Sequence, residues 1–210
     1  MHELINGSHY TDYGDYYEWW YFHFLSEDGF AANIVLHETD IFGLSRESYV
    51  SMSFCLSNGE PQYYKIKLFN GDIERNTKYL SVVDNLFYET MHSINIFVYF
   101  QKDVSFKAVI KKISFPLVIN SGILYCGLDA DKSSYWVPFV PKGSYEGILT
   151  VNNIEHRLQG FAYHDHQWGN ILIQDFVHDW VWGNFCNQEA SVIFFEIKTK
   201  YGGKNWAHIF

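Results

Sequence analysis

Apolar and polar positions alternate along the chain in short runs broken by turn residues, and no segment carries a sustained apolar stripe of helical period. Runs at residues 18–25 and 30–36 flank Asp28-Gly29. Runs at 48–56 and 63–69 are followed by Asn58-Gly59 and Asn70-Gly71. Residues 94–101 and 105–112 flank Lys102-Asp103, and 145–151 and 154–163 flank Asn152-Asn153. Asn-Gly and Asp-Gly between such runs are hairpin signals, because both residue pairs tolerate positive φ. Residues 178–185 and 191–198 follow, then Gly202-Gly203 and a final apolar stretch, Asn205 to Phe210. Roughly a dozen closely spaced strands predict an all-β fold, an antiparallel barrel or sandwich. Pro116, Pro138 and Pro141 cluster where edges or long connections are expected. A last strand ending in Ala207-His208-Ile209-Phe210 would leave an apolar edge, so a second chain, a homo-oligomer contact or further sequence is expected to cover it.

Composition changes the picture in one respect. Of 210 residues, 20% are aromatic, with seven Trp, sixteen Tyr and eighteen Phe. Rings fill space with few rotatable bonds, so this excess points either to a rigid lined interior that takes an apolar small molecule or to ordinary β propensity. A net charge of −9 argues against a nucleic-acid partner, which needs a basic stripe for phosphate contacts. No apolar run approaches the length that spans a bilayer, and the N-terminus lacks a signal-peptide pattern, so a cytoplasmic protein without stable membrane insertion is expected. Cys55, Cys126 and Cys186 lie far apart, without C-x-x-C spacing, and read as small buried hydrophobes in a reducing compartment.

Three constellations could carry chemistry. In Glu18-Trp19-Trp20-Tyr21-Phe22-His23-Phe24, a strand puts Trp19, Tyr21 and His23 on one face and Glu18, Trp20, Phe22 and Phe24 on the other. Glu18 is either a pocket acid or a solvated residue at the strand entrance. In the stretch Gly160 to Asn170, His164, His166 and Trp168 share one face, while Tyr163, Asp165 and Gln167 share the other. His-x-His on a strand could bind a metal, but no carboxylate follows Asp165 for nine residues, so no metal site is expected. A carboxyl beside imidazoles among rings can instead hold a proton at neutral pH and donate it; the alternative is a polar network that only fixes the core. The third constellation, His178 to Asn184, puts Trp180 and Trp182 on one face as an aromatic wall, with Gly183 on the other, where a ligand or another backbone can come close.

Glu18-Trp19-Trp20-Tyr21, the stretch LHETDIFGLSRESYVSMS at residues 36–53, VPKGSYEGILTV at 140–151, GFAYHDHQWGN at 160–170 and DWVWGN at 179–184 together resemble the lipocalin-like carotenoid 1,2-hydratases (hydroxyneurosporene synthases) and their AttH-like relatives. Plant tocopherol cyclases and fungal decalin-forming Diels–Alderases look like more distant members. The resemblance implies two tandem lipocalin-like barrels with a ligand cavity near their junction. Residues 1–175 would form the first barrel, and 176–210 the opening strands of a second, incomplete one.

Hydratases and cyclases of such a family act on carbon–carbon double bonds without a redox cofactor, so none is expected. The chemistry needs a proton donor, a dry pocket and rings that stabilise a carbocation. On this reading Asp165, polarised by His164 or His166, is the acid, Tyr163 donates or relays, and Glu18, Trp19, Trp20, Tyr21, Trp168, Trp180 and Trp182 line the site of an isoprenoid or polyene ligand. A non-catalytic binder of a hydrophobic ligand, and a cyclase that works by shaping its substrate, are the alternatives.

Overall fold

The computed structural model describes residues 6–9, 16–39, 47–57, 59–68, 73–75, 79–82, 85–101, 103–127, 131–200 and 206–209. The predicted turn residues Asn58, Asn70-Gly71, Lys102 and Gly202-Gly203 lie outside these residues, as do the ends of the final stretch, Asn205 and Phe210.

The chain is built almost wholly of antiparallel strands: β1 (Tyr17–Leu25), β2 (Ala31–Thr39), β3 (Ser48–Cys55), β4 (Gln62–Leu68), β5 (Ile73–Arg75), β6 (Tyr79–Val82), β7 (Asn85–Glu89), β8 (Ser93–Gln101), β9 (Val104–Lys112), β10 (Ile123–Cys126), β11 (Ser133–Val151) and β12 (Ile154–Gly169) form one sheet. After a single helical turn, α1 (Ile173–Phe176), a second sheet follows: β13 (Val177–Cys186), β14 (Ser191–Thr199) and β15 (Trp206–Ile209). The all-β, antiparallel fold class expected from the sequence is what the chain adopts. Among the described residues no helix is long and apolar enough to cross a membrane.

The twelve-stranded sheet runs β4-β3-β2-β1-β12-β11-β9-β8-β7-β6-β5, with β10 on β11, and curls until β4 meets β8, where the rings of Tyr64 and Phe100 lie 6.1 Å apart. Alternation then decides which side chains go inside. Trp20, Phe22 and Phe24 of β1, Ile34 and Leu36 of β2, Val50 and Met52 of β3, Phe106 and Ile110 of β9 and Leu149 of β11 are all buried in one cluster. Rings meet across the interior: Phe22 lies 5.5 Å from Phe87, and Phe24 lies 4.9 Å from Phe106 and 5.0 Å from Tyr145. Among the described residues, the chain's own rings thus occupy much of the interior in which a ligand was expected.

The Asn152-Asn153 turn joins β11 to β12 with φ of 52° and 64°, the positive pair that a tight hairpin demands. The two strands it joins run 19 and 16 residues, far longer than the apolar runs suggest. Pro138 and Pro141 sit inside β11, in the stretch before Gly143 that pairs with β12 and not with β9, so they occupy a local edge as expected. The register shifts between Pro138 and Val140 and again between Val140 and Gly143, and such bulges absorb the missing N–H groups. The short strands β5, β6 and β7 and the turn α1 give no apolar period of their own and were not expected. The cysteines are not buried hydrophobes. Cys126 is exposed, and Cys55 and Cys186 are half-buried, because each is the last residue of its strand.

Candidate functional site

β1 and β12 pair in a register that puts Glu18 opposite Trp168, Trp20 opposite His166 and Tyr21 opposite Asp165. Directly opposed residues share a face, so the pairing gathers the first two constellations and then divides them by parity. Trp20, His164, His166, Trp168 and Glu18 point into the barrel. Trp19, Tyr21, Tyr163, Asp165 and Gln167 point outward, against the second sheet.

All of the outward set except Tyr163 line a cavity of about 300 Å³. Its walls are Trp19 and Tyr21 of β1, Val35 and His37 of β2, Trp136 of β11, Asp165 and Gln167 of β12, and Trp180, Trp182 and Phe195 from β13 and β14. Ring contacts bridge the two sheets: Tyr21 meets Trp182 edge-on at 5.3 Å, Tyr163 lies 5.4 Å from Trp182, and Trp136 meets Phe195 edge-on at 4.8 Å. Polar ties at the same junction join His23 Nδ1 to Asn184 Oδ1 at 2.8 Å, and carry a bond from Ser191 Oγ to the Pro141 carbonyl at 2.9 Å. Gly183 leaves room neither for a ligand nor for a strand. A Cβ there would lie 2.5 Å from the Phe194 ring of the paired strand β14, so the ring occupies the space.

Asp165 is the carboxyl of this cavity. Its Oδ2 accepts a hydrogen bond from the Tyr163 hydroxyl at 2.8 Å. Burial pushes its pKa up to about 7, against the smaller opposing pull of hydrogen bonds from Tyr163 and Trp136. Burial, with the neighbouring carboxyl, pushes the Tyr163 phenol well above its ordinary value. His37 is held neutral by burial, which lowers its pKa to about 3.

The inward set forms a second, separate cluster at the mouth of the barrel. His166 Nε2 and Glu18 Oε1 lie 2.8 Å apart, both side chains fully buried. Glu18 also accepts bonds from the His9 backbone N–H at 2.8 Å, from Ser8 Oγ at 3.2 Å and from the Tyr16 hydroxyl. Burial raises the Glu18 carboxyl and lowers both imidazoles well below their usual range, so the neutral forms are favoured. His164 is held between the Tyr21 carbonyl and Asn6 Oδ1, each 3.0 Å away, and stacks on Phe22 at 4.2 Å.

This geometry corrects the expected single site. Neither His164 nor His166 polarises Asp165, because neighbouring residues on a strand face opposite sides; Tyr163 and Trp136 are its partners instead. Glu18, Trp20 and Trp168 do not line the outward cavity, and of the expected wall Trp19, Tyr21, Trp180 and Trp182 do. Sequence reasoning missed Trp136, His37 and Phe195. The parity that sorts β1 and β12 would have assigned Trp136, opposite Gln167, to the outward face had β11 been read as a strand at that point. His9, Ser8 and Asn6 carried no periodic signal.

Comparison with known proteins adds the following. A profile of the family described as Carotenoid hydratase CrtC matches residues 79–209, more than half of the chain. A curated relative, the hydroxyneurosporene dehydrogenase of Chlorobaculum tepidum, is 25% identical over 80 residues, covering 35% of this chain and 20% of that protein. Among solved structures, an AttH protein from Nitrosomonas europaea superposes with a TM-score of 0.69 at 14% identity, over 92% of this chain and 64% of that one. Kievitone hydratase from Nectria haematococca gives 0.63 at 13% identity, over 92% and 60%. CghA gives 0.68 at 12% identity, over 98% and 63%. At these identities the structures speak for the fold alone, and the chain spans less than two thirds of the length of each of these relatives. The lipocalin-like AttH architecture and the profile match agree, and the chain belongs to the carotenoid hydratase CrtC family.

Proposed function

We propose that the outward cavity is the reaction site of a cofactor-free lyase or cyclase acting on a carbon–carbon double bond of an apolar isoprenoid or polyene. In this reading β13–β15 are the opening strands of a second barrel, whose first two strands supply one side of the wall. The observation that carries the proposal is the position of one carboxyl, Asp165, hydrogen-bonded to Tyr163 in a cavity otherwise walled by the rings of Trp19, Tyr21, Trp136, Trp180 and Trp182. Membership of a hydratase family supports the reaction type.

The step is an acid-catalysed addition. The Asp165 O–H bond breaks as a C–H bond forms at the less substituted alkene carbon, leaving a tertiary carbocation and a carboxylate. The facing rings stabilise that cation, by about 1–2 kcal/mol for each well-placed desolvated ring. Water then attacks the cation, and its proton returns to Asp165 directly or through the Tyr163 hydroxyl. In a cyclase an internal double bond attacks the cation in place of water, and the new cation loses a proton from an adjacent carbon to the Asp165 carboxylate, giving an isomer of equal mass.

The test uses the chain with linear isoprenoids bearing a terminal trisubstituted double bond, and reads the gain of one water, or an isomer of equal mass, by mass spectrometry. Asp165→Asn is expected to lower turnover by roughly 10²–10⁴-fold while retaining ligand binding. Turnover at the parental rate in Asp165→Asn removes the proton-donor role and leaves substrate shaping. Binding without any conversion by the parental chain removes the catalytic reading.

A further inference from the structure

The inward cluster plays no part in the reaction proposed above, and its composition is unusual for a structural core. His9, Glu18 and His166 each bring one donor atom to within 4.8 Å of the other two. Two imidazole nitrogens and a carboxylate oxygen are the donor set of an open, three-ligand site for a borderline divalent cation, with the fourth position left to water. Oxygen-seeking ions such as calcium and magnesium are poorly served by two nitrogens.

The surroundings are organised around the carboxylate. Glu18 Oε2 is fixed by Ser8 Oγ and by the Tyr16 hydroxyl, and Oε1 by the His9 amide, so its orientation is set from outside the donor triad. Ser8 Oγ also bonds Glu38 Oε2 at 3.0 Å, bringing a second buried carboxyl to the edge of the cluster. The imidazoles are clamped by stacking, His166 on Trp20 at 4.4 Å and His9 on Trp168 at 4.0 Å, and Trp168 rests in turn on Tyr135 at 5.2 Å. The Glu18–His166 hydrogen bond is not a complete arrangement in itself. His166 Nδ1 is buried with no hydrogen-bond partner, a cost of about 1–3 kcal/mol that a purely structural pair would carry. Of the three described donors His9 alone is half-buried and the other two are buried, so an ion would enter from the His9 side.

We propose that His9, Glu18 and His166 form a binding site for a single Zn²⁺-like transition-metal ion, and that the ion fastens the segment at residues 6–9 across the mouth of the barrel. The ligand spacings of a tetrahedral zinc site are about 3.4 Å, from bonds near 2.0–2.1 Å, so donors already within 4.8 Å of one another need only small side-chain adjustments to take up an ion.

The experiment strips the full chain with EDTA and titrates it with Zn²⁺ by calorimetry, and with Co²⁺ by visible absorption, which reports coordination number without any assay of activity. One saturable equivalent is expected, with a tetrahedral or five-coordinate Co²⁺ spectrum and a metal-dependent rise in Tm. His9→Ala is expected to weaken binding by at least 10-fold and to remove the metal-dependent rise in Tm, whatever the loss of its stack on Trp168 costs in EDTA. Glu18→Gln is expected to abolish binding. Absence of saturable binding, or binding unaltered in His9→Ala, overturns the site; the latter result would put the ion elsewhere, for instance at the exposed His178–Asp179 pair.

Discussion

At the scale of single residues, parity on a strand is the decisive quantity. Asp165 and His166 are neighbours in sequence and occupy different compartments, one carboxyl facing a cavity and one imidazole facing the barrel interior. The division of β1 and β12 into two faces was legible from alternation alone. What alternation could not supply was which face meets a cavity, because the inner face is closed by Phe87, Phe106 and Tyr145, contributed by strands far away in the sequence. His37 gives a prediction at this scale. It is 9% exposed, stacks on Tyr49 at 4.1 Å, and leaves Nδ1 without a partner. Burial, with a smaller contribution from Lys65, lowers its pKa to about 3 from an unfolded value near 6.5. A depressed imidazole means that the unfolded chain takes up a proton first as pH falls. Its share of stability is therefore intact above pH 6.5 and is lost progressively toward pH 3, by about 1.4 kcal/mol per pH unit. His37→Phe keeps the stacking and removes the titration. Thermal melts are expected to show the variant gaining on the parent by on the order of 2 kcal/mol between pH 7.5 and pH 5. A pH-independent difference would show that the imidazole charges freely in the folded state.

At the scale of elements, the pairing of β1 with β12 fixes both clusters, so whatever disturbs that pairing should disturb both. Gly160 marks its limit. A Cβ on Gly160 would lie 2.0 Å from the Leu25 carbonyl oxygen and 2.9 Å from the Ser26 Cα, backbone atoms that cannot swing aside. Gly183 also faces a close contact, but with the end of the half-exposed Phe194 ring, which can rotate away. Gly160→Ala is therefore expected to cost about 1–3 kcal/mol or more, and Gly183→Ala well under 1 kcal/mol, in urea denaturation followed by circular dichroism. Equal costs at the two positions would show that β1 gives way locally to a methyl group. The long strands were the hardest elements to read in advance. Pro138 and Pro141 look like interruptions in a local pattern, whereas the register shifts around Val140 let one strand pass through both and carry Trp136 to the cavity. Strands β5 to β7, of three to five residues each, lack the length over which a period can be recognised.

At the scale of the whole molecule, the barrel and the cavity have separated roles. The barrel buries one large apolar cluster, and its outer face at β1, β2, β11 and β12 serves as the floor on which β13 and β14 close a ring-lined space. A sequence rich in Trp, Tyr and Phe announces many aromatic contacts but not whether they surround a void or fill one, since both arrangements bury the same residues. Ligand location separates the two. An apolar molecule in the space between the sheets adds contacts to Trp180, Trp182 and Phe195, on the smaller, three-stranded sheet. Hydrogen exchange measured with and without a saturating apolar ligand, such as a fluorescent polyene fatty acid, is therefore expected to show increased protection in β13 and β14, and little change in β8 and β9, whose inner residues Ile96, Val98 and Phe106 belong to the barrel core and not to the cavity between the sheets. Protection confined to β8 and β9 would mean that the core side chains yield to admit the ligand, and Asp165, facing the other way, could not then reach it. Tyr21 and Tyr163 stand between these outcomes, because both rings contact Trp182 across the junction. Trp182→Ala is expected to abolish the ligand-induced protection of β13 and β14 while leaving the slow exchange of the barrel core as it was.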